Sequence, residues 1–274
     1  MILLDVQITH EAFGFHASSI TNFGELHETF SNFAFSSIPA DSSPASCDLG
    51  GKVVQIGTDP TYPPHEYIDE NTKQVVGFDV DVVVEICKLV NCIPVWNPTA
   101  WEGIFPALAQ GRWDMVVSGV TITEERDKIV DFSDPYIIVQ QGVLMRVEDV
   151  GKVTIDTFKS GQMKLGSQTG TTNADLGMKL VGRNNMALYD AFSAAVVALQ
   201  NGDVGGVIID STSAAAYEQE FAGELTVGIT GLSSDPLGLV FQEGSDLVDP
   251  FNEGLAMIKS NGTMDRLVIK WWPK

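Results

Sequence analysis

Cysteine is scarce in this chain, with three in 274 residues. That is too few for a disulfide-built scaffold, and the three lack the grouping of a zinc site, so neither a structural metal nor a cofactor is expected. Basic residues are also few: 16 Lys and Arg against 36 Asp and Glu leave a formal net charge of −20. Such a surface argues against nucleic acid or an anionic membrane as partner, because either requires a basic face. Long apolar runs are missing too. Runs such as 136–139 and 237–241 fall far short of the roughly 20 residues that cross a bilayer. Catalytic signatures are absent as well: no His-Glu-x-x-His, no Gly-x-Ser-x-Gly elbow, and no Cys/His pair with an orienting third group. The carboxylates Asp131 and Asp134 read as a turn and a cap.

Residues 1–46 differ from the rest, with no Lys or Arg, three of the four histidines and six phenylalanines. They lack the positively charged start and unbroken apolar core of a secretory signal, so no signal peptide is evident. Ala45-Ser46-Cys47 faintly suggests a lipoprotein cleavage site, but Pro44 and the missing apolar core argue against it. Ile20, Phe23, Leu26, Phe30 and Phe33 recur at near-helical spacing. An amphipathic helix over 19–33, docked on the main body or on a neighbour, and a disordered arm are both open readings. The chain is expected to be monomeric unless this extension docks on a neighbour. His10, His16 and His27 have no partners at ligand spacing and read as scattered polar residues.

From residue 51 onward the pattern becomes regular. Apolar strands are predicted at 53–57, 93–96 and 114–118, and helices at 77–90 and 101–111, the first with Phe78, Val82, Val83, Ile86 and Val90 on its inner face. A second block has a strand at 164–167, a helix at 173–181 capped by Thr172 or Asn173, a helix at 191–201 capped by Asp190, and a short strand at 206–209. Helices at about 247–260 and 264–272 close the chain. Strands alternating with helices imply parallel pairing and an α/β layer structure, in which ligands bind beyond the strand C-terminal ends. Asp59, Trp101, Ser118 and Arg126 all fall there. Cys87 and Cys92 stand where a helix gives way to a strand; a bridge between them, fitting an oxidising compartment, and two buried thiols are equal readings.

The stretch 118–136, Ser-Gly-Val-Thr-Ile-Thr-Glu-Glu-Arg-Asp-Lys-Ile-Val-Asp-Phe-Ser-Asp-Pro-Tyr, is the most pointed in the chain. A helix is predicted to open at Thr121 or Thr123, which puts Arg126 in its first turn against the macrodipole. An arginine there suits an anion receptor built from guanidinium and free helix N–H groups; a surface pair with Glu125 or Asp127 is the plainer reading. Asp210 follows the apolar Val207-Ile208-Ile209, either as an N-cap or facing the same cleft. Arginine and aspartate across a cleft match the carboxylate and ammonium of a free amino acid. Trp101 either stacks on a ligand side chain or packs against its own helix.

Several motifs in order carry a resemblance. Ile56-Gly57-Thr58-Asp59 through Tyr62-Pro63-Pro64, Gly77-Phe78-Asp79-Val80-Asp81, the stretch 118–136, Gly170-Thr171-Thr172-Asn173, Ile209-Asp210, Asn261-Gly262-Thr263 and Trp271-Trp272 resemble the polar amino acid family of ABC-transporter solute-binding proteins. The resemblance implies the two-lobed type II periplasmic-binding-protein fold, α/β with two crossing hinge strands. It implies one lobe from 47–140 plus 236–274 and another from 141–235, with 1–46 an extension of unclear role. It also implies an amino acid ligand, an ABC permease as partner, and a periplasmic or extracytoplasmic location. By the same resemblance Arg126 clamps the ligand carboxylate with Thr121 and the backbone N–H of Thr172. Asp210 and the Gly119 carbonyl take the ammonium, while Asp59, Tyr62 and Trp101 line the side-chain pocket, with Ser118 and Thr171 beside them. Asp59 with Trp101 favours arginine, lysine or glutamine. A signalling sensor is an alternative, and a cyclohexadienyl-dehydratase-like enzyme a weaker one, since Ser211, Thr212 and Ser213 replace the carboxylate that enzyme adds. Family members usually carry an aromatic where His65 stands, which suggests a more polar pocket rim.

Overall fold

The computed structural model describes residues 47–273. Two five-stranded sheets form the cores of two lobes. In the first, Lys52–Thr58 runs parallel to Cys92–Pro98 on one side and to Met115–Val116 on the other. Val240–Phe241 then returns antiparallel from near the end of the chain, with Asp131–Phe132 at the edge. The helix Phe78–Val90 packs on this sheet because Phe78, Val82, Val83, Ile86 and Val90 recur on one face, all fully buried. The helices Val248–Ser260 and Thr263–Trp271 complete that core with Phe251, Leu255, Ile258 and Leu267.

The second sheet has the order Met186–Tyr189, Leu165–Gln168, Gly206–Asp210, Gln141–Arg146, Leu225–Ile229. Leu165–Gln168 and Gly206–Asp210 are buried at every residue, as expected of central strands covered on both faces. Their helices are Ile155–Lys159, Thr172–Val181, Phe192–Asn201 and Ser211–Glu220. Between the lobes runs a two-stranded antiparallel ladder in which Ile137 faces Leu237 and Val139 faces Asp235. Thr121 bridges to the same Leu237. The loops at the C-terminal ends of both sheets therefore gather around this crossing.

Several local expectations change. The segment after Thr121 is a pair of successive turns and not a helix: Asp127 N–H donates to the Thr123 carbonyl, Arg126 N–H to Thr123 Oγ1, and the Arg126 carbonyl then accepts from Ile129 and Val130. Arg126 consequently opposes no macrodipole, and its position needs another account. The helix expected over 101–111 shrinks to Ile104–Ala109, because Gly103 lies in the left-handed region at φ 88° and cannot continue a helix backward. In the second lobe Thr171, not Thr172 or Asn173, caps Thr172–Val181, its hydroxyl accepting from Ala174 N–H. Ala191, not Asp190, stands at the cap of Phe192–Asn201 and makes no side-chain cap bond. The possible helix over 19–33 lies outside the described residues.

Cys87 and Cys92 are bridged, with Cα atoms 4.6 Å apart. Asn91 makes this reach possible by ending the helix at φ 56°, a left-handed conformation that asparagine tolerates and that turns the chain straight into the next strand. Closing so short a loop stabilises by about 2 kcal/mol in the chain-entropy account. A Cys87→Ser, Cys92→Ser double variant should lose roughly that amount in urea unfolding; an unchanged midpoint and slope would show that the bridge contributes nothing.

Candidate functional site

A cavity between the lobes is lined by Asp59, Tyr62, Glu66, Trp101, Ser118, Gly119, Thr121 and Arg126 from the first lobe, and by Gln168, Thr171, Thr172, Asn173 and Phe192 from the second. Nine of the ten residues singled out in the sequence are in this lining; the exception is Asp210. Contacts made by the protein itself cross the cavity. Gln168 Nε2 donates to Asp59 Oδ2 at 2.8 Å, Trp101 Nε1 to the Gly170 carbonyl at 3.0 Å, and the hydroxyls of Thr121 and Thr172 lie 3.2 Å apart. The lobes are closed on each other.

Arg126 is aimed by its own turn: Nη1 donates to the Thr121 carbonyl at 2.8 Å. Its guanidinium carbon sits 5.4 Å from the Trp101 ring centroid and 5.2 Å from that of Phe105. Cation–π attraction offsets part of the cost of desolvating it. Burial still pulls its pKa down to about 10, against the opposing influence of Asp175 and Asp210. Among the described residues no carboxylate lies within ion-pair distance of Arg126. The surface pairing with Glu125 or Asp127 is therefore not what holds it. One face of Trp101 is taken by Arg126, which limits how Trp101 can stack on anything else.

Asp210 is 2 % exposed and makes no side-chain cap bond to the helix that follows, so the simple N-cap reading falls. Its carboxylate accepts from Asn173 Nδ2 at 2.9 Å. Burial pushes its pKa up, with that donor working the other way. Tyr62, and not Asp210, is what the cavity meets. Gly119 sends its N–H to Asp79 Oδ2 at 3.0 Å and keeps φ at 54°, and the Tyr62 ring lies so close that a Cβ there would meet it at 2.8 Å.

His65 is also not where the sequence suggested. It is fully buried and does not belong to the cavity rim. Its Nδ1 lies 2.9 Å from Asp79 Oδ1 and its Nε2 2.9 Å from Thr212 Oγ1. Burial works to raise the pKa of Asp79, but His65, the Tyr136 hydroxyl at 2.6 Å and the Gly119 N–H outweigh it and hold Asp79 below the usual range.

The sequence reading missed Glu66, Gln168, Asn173 and Phe192. Glu66 inverts ordinary patterning, which the residues alone do not disclose: in the strand Glu66–Ile68 the acid is the buried residue and the isoleucine the exposed one. Its Oε1 accepts from Ser118 Oγ at 2.9 Å, while Oε2 receives no donor among the described residues. Burial, then the neighbouring Asp79, pushes its pKa well above the carboxylate range. Asp59 is raised as well, chiefly by burial, despite donors from Gln168 and Thr61. The cavity therefore presents one cation and two strained carboxyls.

Residues 54–274 match the profile of the bacterial extracellular solute-binding proteins, family 3. The chain belongs to that family of amino acid solute-binding proteins of ABC transport. It is similar to the putative ABC transporter arginine-binding protein 2 of Escherichia coli K12, at 31 % identity over 81 % of this chain and 92 % of that one. A probable histidine-binding protein of Neisseria gonorrhoeae is also 31 % identical, over 82 % and 84 %. Among solved structures, an ancestral arginine-binding protein bound to arginine shares 32 % identity over 81 % of this chain and 99 % of its own, with a TM-score of 0.75.

A carboxyl whose folded pKa lies above its unfolded value binds more protons folded than unfolded, so its ionisation costs stability as pH rises past the ordinary glutamate value of 4.5. Glu66→Gln should therefore raise the melting temperature of the ligand-free protein at pH 8 and leave it unchanged near pH 4. Equal melting temperatures at both pH values would show that Glu66 is not strained.

Proposed function

We propose that this protein binds a free cationic L-amino acid, arginine or lysine ahead of glutamine, between its lobes and hands it to an ABC permease by hinge closure. One observation supports this choice above the others: among the described residues, the cavity sets a single partly desolvated arginine against two buried carboxyls, one with an oxygen that no donor reaches. A zwitterion with an added positive side chain satisfies all of them. Arg126, helped by Thr121 and the backbone N–H of Thr172, takes the carboxylate as a charge-assisted pair. Asp210 and the Gly119 carbonyl take the α-ammonium. Asp59, Glu66 and Gln168 receive the side-chain cation, with Tyr62, Trp101, Ser118 and Thr171 around it. Relatives named for arginine and histidine agree with this direction.

Residues 47–140 with 236–274 act as one lobe and 141–235 as the other, turning about the ladder of Ile137–Val139 with Asp235–Leu237. Donors from both lobes reach the ligand together only in the shut state, so binding favours closure by its differential affinity for that state. A micromolar dissociation constant corresponds to about −8 kcal/mol, a sum that one carboxylate clamp, one ammonium site and one side-chain cation site supply after the costs of ordering. The role is binding and not catalysis: Ser211, Thr212 and Ser213 follow Asp210 and bring no further carboxylate. Such a receptor works outside the cytoplasm, where a bridge such as Cys87–Cys92 persists.

A thermal-shift screen of the twenty amino acids should show the largest rise with arginine or lysine, because a ligand of the folded state stabilises it once its concentration exceeds the dissociation constant. Arg126→Ala should weaken that response by about 30-fold in affinity, the equivalent of about 2 kcal/mol for a lost charge-assisted bond. No rise with any amino acid, or an intact response in Arg126→Ala, contradicts the reading.

A further inference from the structure

His65 reaches from the first lobe to the second at a point outside the lining of the ligand cavity. It is fully buried, and both ring nitrogens are taken. Nδ1 lies 2.9 Å from Asp79 Oδ1 on the helix Phe78–Val90, and Nε2 lies 2.9 Å from Thr212 Oγ1 on the helix Ser211–Glu220. Asp79 Oδ2 also receives the Tyr136 hydroxyl at 2.6 Å and the Gly119 N–H at 3.0 Å. A carboxylate with three donors only accepts, so His65 carries its proton on Nδ1, and in the neutral ring Nε2 accepts from the Thr212 hydroxyl. Rings of the first lobe fix the imidazole further: Tyr62 stacks on it at 5.4 Å, and the centroids of Phe78 and Trp272 lie 6.0 and 5.5 Å away. The first lobe aims the acceptor, and the second supplies the donor.

Other bonds between the lobes are placed differently. Those of Gln168 with Asp59, Trp101 with Gly170 and Thr121 with Thr172 are made by side chains that line the cavity, where a ligand competes for them. Neither His65 nor Thr212 is in that lining. We infer, on the hinge closure proposed above, that the His65–Thr212 hydrogen bond holds the shut cleft together from outside the ligand cavity, and so sets how tightly the protein binds without deciding which amino acid it binds. When the lobes part, Nε2 and the hydroxyl each exchange their partner for water at little net cost. When the lobes close without the hydroxyl, Nε2 is left buried with no donor, and that cost falls on the closed form alone. The bond forms after a ligand has entered the open cleft. Its loss therefore speeds release and leaves capture unchanged.

Thr212→Val keeps the side-chain volume and removes the hydroxyl, while Thr212→Ser keeps the hydroxyl. In calorimetry Thr212→Val should weaken binding of L-arginine, L-lysine and L-glutamine by a common factor of about tenfold, the effect of one buried acceptor left unpaired. Thr212→Ser should stay near wild type, and stopped-flow kinetics should place the loss in the dissociation rate. His65→Phe should weaken binding as well, and the double variant with Thr212→Val should be no weaker than either single one, as one shared bond requires. A variant that merely misfolds lowers the number of sites titrated and does not change the release rate. Unchanged affinity in Thr212→Val, or a loss that falls on one amino acid and spares another, overturns the role of Thr212 alone. Wild-type protein that binds no amino acid overturns the proposed function, and the role of Thr212 with it.

Discussion

A half-buried arginine with no carboxylate in ion-pair reach among the described residues is the constraint on which the cleft depends. Arg126 packs on the rings of Trp101 and Phe105, and its Nη1 donates to the Thr121 carbonyl. Opposite in sign, Glu66 and Asp59 are buried beyond what their donors compensate. Burying an ion costs several kcal/mol even after relaxation. A fold that keeps these groups around one cavity gives up stability at that place.

Two lobes built on mixed sheets deliver their strand ends to the same place, and the ladder of Ile137–Val139 with Asp235–Leu237 runs between them, the axis of the proposed hinge closure. Because Thr121 bridges to Leu237, the turn carrying Arg126 is tied directly to the crossing. A change in how Arg126 is satisfied therefore acts close to the axis about which the lobes turn. The bonds across the cleft, from Gln168 to Asp59 and from Trp101 to Gly170, show that the shut arrangement has protein contacts of its own.

Much of this was legible in the residues. The helix Phe78–Val90 declared itself by apolar spacing, and the segment Gly206–Asp210 by a short apolar run. Arg126 stood out as a cation after a strand end, although the helix invoked for it is only a pair of turns. What could not be read depends on contacts between residues far apart in the chain. Nothing near Asp210 in sequence says that Asn173 would donate to it. The resemblance puts His65 at the pocket rim, yet Asp79 and Thr212 hold it in the interior. Glu66 was passed over because a three-residue strand is too short for periodicity to be trusted.

In the function proposed above, the carboxyls of the cavity, not its size, choose the ligand. L-citrulline has the shape of L-arginine with a neutral urea in place of the guanidinium, so it isolates that charge. Calorimetric titration of both at pH 8, where a raised carboxyl is more fully ionised, should give arginine an affinity at least about tenfold higher, which corresponds to about 1.4 kcal/mol. Equal affinities, or tighter binding of citrulline, would contradict the claim.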